Sequence, residues 1–144
     1  MKRTSLISTP VPTEQSEAER LMYLVRLHEP QHPELRWLFH VPNGGARSKA
    51  AAGKLKAAGV RPGVPDYLLP VAGRGVNKWR GLAIELKRIK GGRTSDEQTD
   101  WLDHFDNQYW RIAICNGHEH AWRVICEYLG IANCLETECL VRRK

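Results

Sequence analysis

Gly81-Leu82-Ala83-Ile84-Glu85-Leu86-Lys87 sets an acid and a lysine two positions apart in an otherwise apolar run. An extended chain alternates faces with a period of two. Glu85 and Lys87 therefore share one side of a strand, and Ile84 and Leu86 take the other. Asp66 stands 19 positions before Glu85 and opens a second apolar run, Asp66-Tyr67-Leu68-Leu69-Pro70. Two carboxylates beside a lysine suit a hard divalent cation and a water activated for attack, which is the chemistry of phosphodiester hydrolysis. In that reading Asp66 and Glu85 are metal ligands. The carbonyl of Leu86, between two site-facing residues, supplies a third ligand. Lys87 orients or helps to deprotonate the water and stabilises charge developing on the phosphate. Plainer readings stand beside these, because Pro65-Asp66 is a common turn former and Lys87 could be an ordinary strand-edge lysine.

The elements around this pair follow from local signals. Thr13 is a plausible N-cap for a helix beginning at Glu14, with Leu21, Leu24, Val25 and Leu27 at helical spacing. That helix should stop before Pro30 and Pro33. Residues 35–41 read as a turn of helix or a short strand, and residues 49–58 as an alanine-rich helix stopped by Gly59. Residues 66–71 and 81–88 read as strands joined by a short glycine-rich turn, which makes them antiparallel neighbours. Ser95-Asp96-Glu97-Gln98 resembles a capping box and opens a helix to about Asn107. Residues 110–115 form a third strand and 119–129 a last helix. The order α-α-β-β-α-β-α gives an α/β fold, a mixed sheet flanked by helices in a single small domain. Residues 1–12 read as a flexible arm and 130–144 as a basic tail.

The bulk properties narrow the function without deciding it. A chain of 144 residues with 42% hydrophobic and 26% charged content is an ordinary globular domain able to bury a core. No apolar stretch approaches the roughly 20 residues needed to span a bilayer, and the N-terminus is a poor signal peptide. The expectation is a cytoplasmic protein with no membrane partner. A net charge of +6 suits a polyanionic partner. Cys115, Cys126, Cys134 and Cys139 form no paired C-x-x-C knuckle, so they read as inert structural thiols rather than zinc ligands. His118 and His120 read as turn and cap residues.

Asn43-Gly44-Gly45 can present backbone N–H groups to a phosphate, because glycine reaches positive φ without strain. With Arg47 close behind, Asn43, Gly44, Gly45 and Arg47 are candidate nucleic-acid contacts, although Asn-Gly-Gly is also a simple turn. The segment lacks the Gly-Lys-Ser/Thr of a P-loop, which argues against a nucleotide cofactor. No serine or cysteine constellation suggests a covalent intermediate.

Four blocks carry a closer likeness: His40-Val41-Pro42-Asn43-Gly44-Gly45-Ala46-Arg47, Gly59-Val60-Arg61-Pro62-Gly63-Val64-Pro65-Asp66, the Gly81 to Lys87 run, and Ser95-Asp96-Glu97-Gln98-Thr99-Asp100-Trp101. In this order they resemble the VRR-NUC branch of the PD-(D/E)xK nuclease superfamily, over roughly residues 13–129. The resemblance implies a restriction-endonuclease-like fold and a Mg²⁺- or Mn²⁺-dependent endonuclease acting on DNA, structure-selective for branched forms such as four-way junctions, and working as a homodimer. It also implies that an early-helix glutamate reaches the metal, for which Glu14 is the best match and Glu17 the rival. Gln98 corresponds to a glutamine facing the active site, unless it is a plain exposed helix residue. Trp101, on nearly the same face, reads as core rather than as a base-stacking platform. Alternatives from other classes are a catalytically silent DNA-binding module, a nickase of ordinary duplex and an RNA-directed nuclease.

Overall fold

The computed structural model describes residues 10–43 and 48–132. Gly44, Gly45, Arg47, Cys134, Cys139, most of the N-terminal arm and nearly all of the basic tail lie outside the described residues. Helix α1 spans Glu14–His28, and Thr13 caps it by accepting from the Ser16 N–H at 3.1 Å. A 3-10 turn follows at Pro33–Trp37, then strand β1 at Phe39–His40. Helix α2 is Lys49–Ala57, β2 is Tyr67–Leu69 and β3 is Leu82–Lys87. Helix α3 runs Asp96–Asn107, β4 runs Arg111–Asn116, and α4 closes the order at His118–Leu129. The segment read as either helical turn or short strand is both in succession, so the sheet has four strands rather than three.

Those strands lie in the order β1-β2-β3-β4. The first two pairings are antiparallel and β3 pairs with β4 in parallel. The short link between β2 and β3 permits only the antiparallel arrangement, whereas the longer segment carrying α3 makes the crossover a parallel pair requires. Leu82, Ile84 and Leu86 on one face of β3 join Leu21, Leu24 and Val25 of α1 and Trp122, Ile125 and Leu129 of α4 in the core. Full burial of each such side chain is worth about 1.5–3 kcal/mol relative to exposure. This packing puts a rigid floor under the C-terminal end of β3, where the charged residues are.

The first turn of α1 is fixed by a polar contact. Glu17 is completely buried, and its Oε2 accepts from the His118 N–H at 2.7 Å and from His118 Nδ1 at 2.5 Å. Burial pushes the Glu17 carboxyl up, but the two His118 hydrogen bonds and the nearby charges outweigh it and hold the group below its ordinary value. Gly117, at φ +81, gives the turn into α4, and its N–H donates to the Lys87 carbonyl at 2.8 Å. His120 Nδ1 accepts from the Asn116 N–H at 3.2 Å, whereas Gly117 is the N-cap of α4 and the His118 ring is engaged by Glu17.

Candidate active site

Asp66 immediately precedes β2. The register Tyr67↔Ile84, continued by one residue, sets it opposite Glu85 and on the same face. Pairing with β2 ends there, leaving the Leu86 N–H free of the ladder, and it donates to Asp66 Oδ2 at 2.8 Å. The N–H and C=O of one strand residue leave from the same edge, so the Leu86 carbonyl faces the Asp66 side. Asp66, Leu86, Glu14 and His40 line one cleft of about 280 Å³. The His40 ring rests on Tyr67 with centroids 5.0 Å apart.

Glu85 and Lys87 face α3. Lys87 Nζ donates to Glu85 Oε1 at 2.6 Å and to Gln98 Oε1 at 3.1 Å, and Gln98 Nε2 donates to the same Glu85 oxygen. The expected capping box is present: Ser95 Oγ accepts from the Gln98 N–H, and Gln98 Oε1 accepts from the Ser95 N–H at 2.9 Å. One glutamine thus starts the helix and fixes the rotamers of both catalytic candidates. Glu85 is 1% exposed and Lys87 6%, so neither is an ordinary surface charge.

The electrostatics favour a cation at this place. Burial is the main cause that pushes Glu85 up to about 7, against the Lys87 hydrogen bond, and the charges of Asp66 and Glu14 add to the rise. Asp66 is likewise raised by burial, with the Leu86 N–H and Lys87 pulling the other way. Glu85 Oε2 is buried without a hydrogen-bond partner. A buried oxygen of a carboxylate lacking a partner is costly in itself and is satisfied by a divalent ion. Among the described residues no three His, Cys, Asp or Glu side chains form a ready-made cage. Two carboxylates and a carbonyl therefore fit a hard, partly hydrated ion such as Mg²⁺, which keeps several waters, and do not fit a closed zinc site.

Of the two early glutamates, Glu14 lines the cleft with Asp66, while Glu17 is turned toward α4 and engaged by His118. Asn43 lies near the cleft, but its side-chain amide donates to the Val64 carbonyl at 2.5 Å, tying the chain after β1 to the segment before Asp66. Trp101 is half-buried rather than core, and its Nε1 donates to the Pro62 carbonyl at 3.0 Å. Sequence reasoning missed Val60, Arg61 and Val64 as lining residues of a groove beside Trp101. A loop has no periodicity by which such residues could be recognised. Cys115 and Cys126 are both buried, and burial pushes the Cys115 thiol up to about 12, which leaves it unreactive.

A family model for the VRR-NUC domain matches residues 15–119. A solved structure described as a VRR_NUC domain protein superposes with a TM-score of 0.65 at 22% identity, covering 85% of this chain and 93% of that one. At that identity the likeness speaks for the fold. No curated protein matches the chain.

Proposed function

This chain belongs to the VRR-NUC nuclease family, and we infer from its site that it is a Mg²⁺- or Mn²⁺-dependent endonuclease that hydrolyses DNA phosphodiester bonds. The observation that carries the reading is the buried, partnerless Oε2 of Glu85, directly across the sheet from Asp66 and beside Lys87. Asp66, Glu85 and the Leu86 carbonyl would hold the ion, with Glu14 reaching it from across the cleft. A bound divalent ion supplies Lewis-acid polarisation of the phosphate and a more acidic water.

The chain's own groups do the rest. Lys87 Nζ, positioned by Gln98, would donate an N–H hydrogen bond to charge developing on the phosphate. Gln98 keeps Glu85 Oε1 occupied, which leaves Oε2 as the oxygen available to a ligand. The net charge of +6 favours a polyanion and would give salt-dependent affinity. Gly44, Gly45 and Arg47, with Asn43 beside them, belong to this reading as backbone contacts.

Branched DNA is the specific substrate in this reading. A two-fold homodimer would present two clefts to a symmetric four-way junction. Among the described residues no helix is long and apolar enough to cross a membrane. The test is a panel of end-labelled four-way junction, linear duplex, single-stranded DNA and matched RNA, each with Mg²⁺, Mn²⁺ or EDTA. Metal-dependent cutting of the junction alone is expected. Binding without cutting would favour the silent module, and cutting of RNA alone would favour the RNA-directed nuclease.

A further inference from the structure

A second depression adjoins the catalytic cleft. Val41, Pro42, Val60, Val64 and Trp101 line a groove of about 390 Å³, and Pro42 belongs to both this groove and the cleft that contains Asp66. The two therefore share a wall residue in the segment that leaves β1. A neighbouring pocket of about 460 Å³ along α2 shares Val60 and Arg61 with the groove, and Lys56 and Arg61 are on its wall. Both cations are exposed and make no ion pair among the described residues.

The groove combines an aromatic face, apolar walls and unpaired cations next to a phosphodiesterase centre. Trp101 stands one helical turn beyond Gln98, so the residue that orients Glu85 and the indole of the groove project from the same face of α3. The ring is fixed by its hydrogen bond to the Pro62 carbonyl and by the Phe105 ring, with centroids 6.0 Å apart. The 61–64 segment is pressed against α3. Gly63 sits at φ +80, and a Cβ there would lie 2.6 Å from the Glu97 backbone carbon. A rigid indole in an open apolar slot, with positive charge on the rim, fits a nucleobase attached to its phosphate. The bases of a paired duplex are already stacked on one another, so a free aromatic face selects an unpaired base.

We propose that this groove holds an unpaired nucleotide of the DNA strand that enters the catalytic cleft, its base against Trp101 and its phosphates on Lys56 and Arg61. The inference rests on the nuclease reading and extends it, because it makes recognition of single-stranded character at a branch a property of this one domain. A nucleotide displaced beside the scissile phosphate would distinguish a branched substrate from a blunt duplex.

The experiment uses the full chain with Lys87→Ala in Ca²⁺, so that DNA is bound without being cut. The probe is a duplex with a single-stranded tail carrying 2-aminopurine at one position, moved nucleotide by nucleotide from the junction. Strong quenching at one tail position is expected, lost when Trp101→Leu is added and largely kept with Trp101→Phe. Affinity for the tailed DNA should fall about tenfold with Trp101→Leu, as for loss of one stacked base, while affinity for blunt duplex stays the same. The surface double variant Lys56→Ala/Arg61→Ala leaves the ring in place. It should lower the salt slope for the tailed DNA by about one to two. Quenching that ignores Trp101, or an equal loss for blunt duplex, would overturn the groove while leaving a nuclease that cuts DNA intact. Absence of metal-dependent cutting by the parent protein would instead overturn the nuclease reading itself.

Discussion

Ionisation of Glu85 should leave a measurable trace in the stability of the metal-free protein. Its folded value is about 7 against an ordinary 4.5. Between those two values the folded state binds more protons than the unfolded chain, so stability falls as pH rises through the window and is flat above it. A displacement of that size corresponds to about 3 kcal/mol in all, or roughly 6–12 °C in Tm for a domain of this length. The assay is thermal unfolding in EDTA from pH 4.5 to 8, comparing the parent with Glu85→Gln. The difference between the two proteins reads the Glu85 carboxyl. The parent should lose stability relative to the variant as pH rises, by about 3 kcal/mol at pH 8. Mg²⁺ should then recover much of that loss for the parent at pH 8, little at pH 5.5, and none for Glu85→Gln. Parallel pH profiles for the two proteins would refute the claim that Glu85 is held protonated by burial and waits for a cation.

Other perturbations separate chemistry from scaffold. Asp66→Ala and Glu85→Ala should each lower cleavage by at least 10²–10³-fold, about 3–4 kcal/mol of transition-state stabilisation, while filter binding finds DNA affinity largely kept. Glu17→Ala should cost about 2–4 kcal/mol in urea unfolding, because it removes a fully buried carboxylate and leaves two part-buried His118 groups without their partner. Gly63→Ala should destabilise by more than about 2 kcal/mol, combining strain at positive φ with the clash against Glu97. A circular-dichroism melt with the Tm unchanged would contradict that packing.

Much of the candidate-site end of the molecule could be read from the chain because its signals are local. The alternation in the Gly81 to Lys87 run, the Ser95–Gln98 capping box and the Thr13 cap each depend on residues within a few positions of one another. Strands β2 and β3 were legible as neighbours because their link is too short for a crossover. Strand β1 was not, since two residues carry no periodicity and its pairing with Tyr67 and Leu68 is set by the folded sheet. The same holds for Glu17 and His118, which meet across 101 positions. An acid in the first turn of a helix ordinarily complements the dipole. Only the packing of α1 on α4 turns Glu17 inward and leaves Glu14 facing Asp66. The rise of Glu85 to about 7 was equally hidden, for it comes from the burial that α3 and the core impose on β3.

The central claim is that Asp66, Glu85 and Lys87 form one metal-dependent hydrolytic centre. The most direct measurement is single-turnover cleavage of a labelled four-way junction in Mg²⁺, with the parent and Lys87→Ala at saturating protein. The account predicts metal-dependent cutting by the parent, and a rate at least about 10²-fold lower for Lys87→Ala at unchanged junction affinity. Equal rates for the two proteins, or cutting that persists in EDTA, would contradict it.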